Sequence, residues 1–181
     1  EARTAGLAKS LTEANRELTQ LALHDTLTGL PNRVLLADRI DQAMSRVDGE
    51  GGCFALMFID LDGFKPVNDA FGHHMGDQLL REVSLRLRED LRNQDTLARI
   101  GGDEFVLLVQ LSEPNDAMGL AARQVSLIAR AFRVAEHDLQ ISASVGIALY
   151  PGNGQSAHEL LMNADAAMYH AKGGGKNGYS F

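Results

Sequence analysis

The residues able to do chemistry in this sequence are two acidic pairs. Asp103 and Glu104 follow two glycines in Arg99-Ile100-Gly101-Gly102-Asp103-Glu104-Phe105, and Asp60 and Asp62 stand in Ile59-Asp60-Leu61-Asp62-Gly63-Phe64-Lys65. Two like charges about 4 Å apart repel by roughly 4 kcal/mol at an effective dielectric of 20, so a cation belongs in front of them. A solvated hairpin tip is the bland alternative for Asp103 and Glu104. If one sheet brings Asp60, Asp103 and Glu104 together with no lysine between them, the set suits a hard cation. Mg²⁺ takes a few carboxylates plus phosphate oxygens, and two such ions can clamp both oxygens of a phosphoryl transfer. Lys65, Lys172 and Lys176 are available for phosphate charge, and the Gly63-Phe64 backbone for N–H donors. Each lysine taken singly is more often a solvated surface charge.

Positioning these acids requires a sheet. Thr96–Ile100 and Phe105–Val109 flank Gly101-Gly102, which reads as a tight hairpin turn because glycine accepts positive φ. Phe54–Leu61 reads as a buried strand ending in the first acidic pair. Asp60 and Asp62 share a face if the strand runs that far, and Gly63 is expected to break it first. Asn32 is a candidate N-cap for a helix through Val47, followed by a loop at 48–52. Phe71–Asp77 reads as a loop leading into a helix from Gln78 to Leu91, and Pro114 opens another reaching Phe132. Ile141–Tyr150 is the next strand. Ser156 with Glu159 is a capping box for a last helix that ends near Lys172, before a short terminal strand. The order β-α-β-β-α-β plus α-β predicts an α/β (α+β sandwich) fold: a ferredoxin-like sheet, mainly antiparallel, with helices around it. In that sheet the first strand lies beside the hairpin, which would set Asp60 next to Asp103 and Glu104.

Residues 1–24 form a separate N-terminal linker helix ahead of a domain at 25–181. Leu7, Leu11, Ala14, Leu18 and Leu21 alternate by four and three, the seam of a short coiled coil; a single amphipathic helix packed on the domain is the alternative. His24–Arg33, rich in turn residues, is the boundary. The 181 residues, 45% hydrophobic, suffice for one core, and the net charge of −7 argues against non-specific nucleic-acid binding. The one cysteine, Cys53, excludes a disulfide framework and a cysteine-rich zinc site. The longest apolar run, Cys53–Ile59, is too short to cross a bilayer, and no signal peptide is read. The start at Glu1 without methionine suggests a piece of something larger. Gly173-Gly174-Gly175-Lys176-Asn177 lacks the spacing of a phosphate-binding Walker loop, and the adjacent His73 and His74 cannot share a metal as an i, i+4 pair does.

Gly101–Phe105 is the literal GGDEF signature of diguanylate cyclases, and the chain resembles that family over nearly all of 25–181. The resemblance is carried also by Asp25–Arg33, Phe58–Lys65, Asn68-Asp69, Phe71–His73, Gly76-Asp77 and Ala164-Asp165. It implies a nucleotidyl-cyclase palm that condenses two GTP into cyclic di-GMP and two pyrophosphates, with two monomers completing one site. It implies Mg²⁺, with Mn²⁺ as a substitute, held by Asp60, the Leu61 carbonyl, Asp103 and Glu104. Asp103, Glu104 and Lys65 would be the catalytic residues. Asn68 and Asp77 match guanine-recognising positions with His73 in the same pocket, and Gly63, Phe64, Lys65, Lys172 and Lys176 match positions around the phosphates. Lys176 stands where the family often has arginine, and Pro66 replaces a polar residue; neither removes a ligand.

Arg92-Asn93-Gln94-Asp95 fits the family's RxxD inhibitory site, where Arg92, Asp95 and Arg123 would bind product. An i, i+3 surface ion pair is the plainer reading. The resemblance implies a cytoplasmic domain, a homodimer, and a longer parent carrying a sensor or EAL-type domain, membrane-anchored or not; this stretch itself offers no membrane or nucleic-acid contact. Two other functions stay open. One is a regulatory module that binds GTP or cyclic di-GMP without turnover. The other is a cyclase making cyclic AMP, against which Asn68 and Asp77 argue.

Overall fold

The computed structural model describes residues 2–181; Glu1, the first residue of the expected linker, lies outside them. Helix α1 (Ala2–Leu23) is followed by α2 (Arg33–Glu50), β1 (Cys53–Asp62), α3 (Phe64–Phe71), α4 (His73–Arg88) and the hairpin β2 (Thr96–Gly101)–β3 (Glu104–Leu111). Then come α5 (Asp116–Ala129), a small hairpin β4 (Phe132–Val134)–β5 (His137–Leu139), β6 (Ser142–Tyr150), α6 (Ala157–Gly173) and β7 (Gly178–Ser180).

β1 is the organising strand because its side chains are apolar on both faces, as a strand covered on both sides requires. The sheet runs β2-β3-β1-β6-β7, with β1 antiparallel to β3 and β6 and only β7 parallel to its neighbour. This is the ferredoxin-like order read from the sequence. Met57, Ile59 and Leu61 enter a core with α3, α4 and α5; Phe54, Leu56 and Phe58 enter a second core with α2 and α6. Alternation along the strand then puts Asp60 and Asp62 on the α2/α6 side.

Several element bounds differ from expectation. β1 continues through Asp62 instead of stopping before it, because β6 pairs with it as far as Asp62↔Ser142. The eight-residue α3 occupies a stretch to which the sequence assigned no element, and most of the loop expected at Phe71–Asp77 is in fact the start of α4. Pro66 sits in the first turn of α3, where a missing N–H costs nothing, and Gly63 and Gly72, at φ 85° and 89°, form its two ends. α2 runs three residues past Val47, α4 spans His73–Arg88, and α5 stops at Ala129, so Phe132 belongs to β4. The hairpin turn is Gly102-Asp103 and not the glycine pair: Gly101 pairs with Glu104 after a bulge at Ile100, and only Gly102 has positive φ. Two caps form as read. Asn32 accepts from the N–H groups of Val34 and Leu35, and Ser156 accepts from that of Glu159.

α1 does not pack on the domain as the amphipathic alternative would have it. Leu7, Leu11, Leu18 and Leu21 are 74%, 65%, 64% and 63% exposed, so the leucine seam is uncovered. No helix among the described residues is long and apolar enough to cross a membrane.

Candidate active site

The register brings the expected acids together. Asp60 on β1 faces Glu104 on β3 directly, and the N–H of Leu61 donates to the Asp103 carbonyl at 3.3 Å. Asp60, largely buried, has its carboxyl pushed up to about 6, first by burial and then by the charge of Asp103, with Lys172 opposing. Glu104 is raised as well, by burial, then Asp165 and Asp103, against the pull of Arg33 and Lys172. Carboxylates raised by burial and by the charge of neighbouring acids accept a divalent cation readily, and the donor set is all oxygen, so it fits Mg²⁺ or Mn²⁺.

One expectation is corrected here: a lysine does stand among the acids. Lys172, from the last turn of α6, lies 3.4 Å from Asp60 Oδ2 and 3.4 Å from Asp62 Oδ1. Desolvation alone would lower its ammonium, but the combined attraction of Asp60 and Asp62 outweighs this and raises it. Among the described residues no three acidic, histidine or cysteine side chains are gathered into a finished metal cage. Asp62, which the sequence reading placed on the same face but gave no role, is buried. It accepts from Ser142 Oγ, Ser144 Oγ and the N–H of Asn177.

The expected nucleotide positions fall in two places. Gly63 and Lys176 line one cleft of about 470 Å³ with Asp62, Ser142 and Asn177. α3 starts at Gly63 with no side-chain cap, leaving its first N–H groups for an anion, whereas the Phe64 ring is in the core and only its backbone faces outward chemistry. Lys65 is exposed on the same turn. Asn68 on α3 and Asp77 on α4 belong to helices packed against each other, with His73 exposed at the first turn of α4. Asn68 Oδ1 is buried without a hydrogen-bond partner among the described residues, and a methyl group on Gly76 would overlap it. Gly76 therefore lets the two helices close around an acceptor still awaiting a donor.

Arg92, Asp95 and Arg123 line a separate cleft of about 640 Å³. Arg92 Nη2 donates to the Gln110 carbonyl at 2.7 Å and its Nε lies 3.5 Å from Asp95 Oδ2, so the plain ion pair is present. Arg123 is paired with Asp90. Asp95 Oδ1 is buried with no partner among the described residues.

Arg99, quoted in the sequence only as part of the signature, is a joint. Its Nε and Nη2 donate to the Gly102 carbonyl at 3.0 and 2.7 Å, and Nη1 donates to Asp25 Oδ1 at 2.8 Å. Asp25 Oδ2 accepts from Thr28 N–H and Oγ1, while Asn32 Nδ2 donates to the Ala22 carbonyl at the end of α1.

The sheet order, with paired acids where the central strand meets the neighbouring hairpin, matches solved GGDEF-domain structures, the fold expected as a nucleotidyl-cyclase palm. Residues 22–178 match the family model described as "Diguanylate cyclase, GGDEF domain". The chain belongs to the GGDEF-domain family. It is 60% identical over 181 residues to the bifunctional diguanylate cyclase/cyclic di-GMP phosphodiesterase MucR of Pseudomonas aeruginosa, covering 100% of this chain and 26% of MucR. It is 39% identical over 179 residues to the cyclic di-GMP phosphodiesterase NbdA of the same organism, covering 99% of this chain and 23% of NbdA. The chain thus spans about a quarter of the length of these curated relatives. Among solved structures, the coiled coil and GGDEF domain of DgcB from Caulobacter crescentus, in complex with c-di-GMP, superposes with a TM-score of 0.89. The identity there is 27%, over 99% of this chain and 95% of that one.

Proposed function

We propose that this chain is a catalytically competent diguanylate cyclase domain, forming cyclic di-GMP and two pyrophosphates from two GTP. The observation that carries the reading is the meeting of Asp60, Asp103 and Glu104 at one sheet end, with Asp60 raised to about 6. Asp60, the Leu61 carbonyl, Asp103 and Glu104 would hold Mg²⁺, which when bound neutralises charge building on the phosphates. Asp103 takes the proton from the ribose 3′-hydroxyl of a nucleotide on the facing subunit. That oxygen bonds to the α-phosphorus, the bond to the β-phosphate oxygen breaks, and pyrophosphate leaves; the second ester closes the ring by the same exchange. Lys65, Lys172, Lys176 and the uncapped N–H groups after Gly63 orient the triphosphate, Lys65 assisting the transfer. Incubation with GTP and Mg²⁺ should yield cyclic di-GMP and pyrophosphate in a ratio of one to two by chromatography. Absence of both at high protein concentration overturns the reading.

A second reading, a regulatory GTP-binding module, draws on the relatives: the chain is a quarter of MucR and NbdA, whose names include phosphodiesterase activity. In that case GTP binds with the same residues and no pyrophosphate appears.

Guanine selection is assigned to Asn68 and Asp77, since a carboxylate accepts from guanine N1–H and N2–H₂ and adenine offers no such donor pair. Asp77→Ala should weaken GTP binding at least about ten-fold and narrow the preference over ATP, because an unmet polar group in a recognition site discriminates strongly. Calorimetric titration with both nucleotides checks this.

Arg92, Asp95 and Arg123 form the proposed product site, with Arg92 in bidentate contact with guanine O6 and N7. Such a contact is worth roughly 1–3 kcal/mol, so Arg92→Ala should weaken cyclic di-GMP binding about ten-fold and lengthen the linear phase of turnover. Progress curves with added product test it.

The Asp60 value fixes a pH dependence. A carboxyl raised to about 6 must lose its proton before it can ligate a cation. Mn²⁺ affinity for the nucleotide-free protein should be level above about pH 7 and fall about ten-fold per pH unit below 6, one proton being displaced per ion. An unshifted aspartate would hold its affinity to near pH 4, which a titration series distinguishes.

A further inference from the structure

Lys172 and Asp62 fall outside the simple picture of acids waiting for a metal. The two carboxylates that share the Lys172 ammonium are held very differently. Asp62 has a side chain only 4% exposed and accepts from Ser142 Oγ at 3.1 Å, Ser144 Oγ at 2.9 Å and Asn177 N–H at 3.2 Å. These donors come from β6 and from the chain leading into β7, so the carboxylate is fixed from several directions. Asp60 is more exposed, at 14%, and among the described residues Lys172 is its one ion-pair partner. A cation arriving at Asp60 therefore meets an ammonium already in place, and only one of that ammonium's two anchors is free to change partners.

We propose that Lys172 is a resident counter-ion that a divalent cation must displace from Asp60, and that Asp62 is the positioning residue that retains the displaced ammonium beside the site. The inference rests on the reading of Asp60 as a metal-holding residue. Asp62 shares its cleft with Gly63 and Lys176, so an ammonium kept there stands beside the positions assigned to the phosphates. Lys172 would then exchange a carboxylate for a phosphate oxygen without leaving Asp62. The bland alternative is an ion triad that merely holds α6 against the sheet. That duty is already met by close backbone contact, since a methyl group on Gly146 would overlap the Ala164 carbonyl and the Met168 backbone.

The test is Mn²⁺ titration of the nucleotide-free protein, followed by electron paramagnetic resonance of the free ion. Wild type is compared with Asp60→Asn, Lys172→Met, Asp62→Asn and the double variant Lys172→Met/Asp62→Asn. Removing a competing charge in direct contact should tighten Mn²⁺ binding in Lys172→Met by about ten-fold or more. Asp62→Asn should weaken it, because the ammonium then has Asp60 alone, and most of this effect should vanish in the double variant. Unchanged or weaker binding in Lys172→Met overturns the inference. So does an Asp62→Asn effect of equal size with and without Lys172, which would make Asp62 a ligand or a general field. If Asp60→Asn keeps wild-type Mn²⁺ affinity, the metal reading of Asp60 falls and takes this inference with it. Binding that depends on Asp60 but ignores Lys172 overturns the inference alone. If Asp62→Asn loses its cooperative unfolding transition, the comparison of Lys172→Met with wild type decides alone, tighter Mn²⁺ binding supporting the inference and unchanged or weaker binding overturning it.

Discussion

Asp103→Ala is expected to cut cyclic di-GMP formation by at least about a thousand-fold, in the range seen when a positioned base and charge-stabilising group is removed. The fold should survive. Asp103 sits in the two-residue turn, and what it gives the architecture is its backbone carbonyl, which accepts from Leu61 N–H and which alanine also carries. Positive φ falls on Gly102, not on Asp103, so the substitution adds no backbone strain. The unfolding midpoint should stay within about 3 °C of wild type, the shift that roughly 1 kcal/mol produces in a domain of this size. One further effect should accompany the loss: with the Asp103 charge gone, the Asp60 carboxyl should move down from about 6, since that charge is the second of the influences raising it. Turnover by chromatography, thermal melting and the pH profile of Mn²⁺ binding together check the assignment. Retained turnover, or loss of the cooperative transition, contradicts it.

The second large effect concerns assembly. Two ester bonds between two nucleotides need two triphosphate sites facing each other, with reacting atoms about 3–3.5 Å apart. The uncovered seam of α1 is the proposed means of bringing two copies together, since a tether turns the second encounter into an intramolecular one at millimolar effective concentration. Leu11→Glu with Leu18→Glu should lower turnover about a hundred-fold at low protein concentration and recover much of it when the protein is concentrated. GTP affinity should stay within about two-fold, because neither residue lies near the sheet. Wild-type turnover should rise faster than linearly with protein concentration. Light scattering and activity across a hundred-fold dilution test this, and flat specific activity from a monomer excludes a two-subunit site.

Much of the site was legible because it depends on local signals and on strand alternation. The Gly101-Gly102 pair between two β-prone runs marked the hairpin, though not its exact turn residues, and the topology that follows sets Asp60 across from Glu104. What escaped reading depends on distant partners. Asp62 is buried only because Ser144 and Asn177 reach it from 82 and 115 residues away. Lys172 is one of several lysines in the sequence, and nothing local says that its helix ends over two aspartates. Helix α3 was hidden by the proline and glycines that ordinarily mean a loop. The β4–β5 hairpin turns at Ala135 and Glu136, both at positive φ, 47° and 66°, with no Asn-Gly or Asp-Gly to announce it.

Arg99 bears on how such a domain can be exchanged between proteins. The exit of α1 is fastened by Asn32 to the Ala22 carbonyl and by Asp25 to Arg99, whose other nitrogens hold the Gly102 carbonyl one residue before Asp103. A chimera spliced upstream of Ala22 keeps every one of these fastenings, whatever helix is supplied, provided the heptad phase is continuous. A junction between Asp25 and Asn32 replaces Asp25 and so cuts the connection to the Gly102-Asp103 turn even when both halves fold. The interchangeable cassette therefore begins inside the last turn of the helix, a few residues before the compact body does.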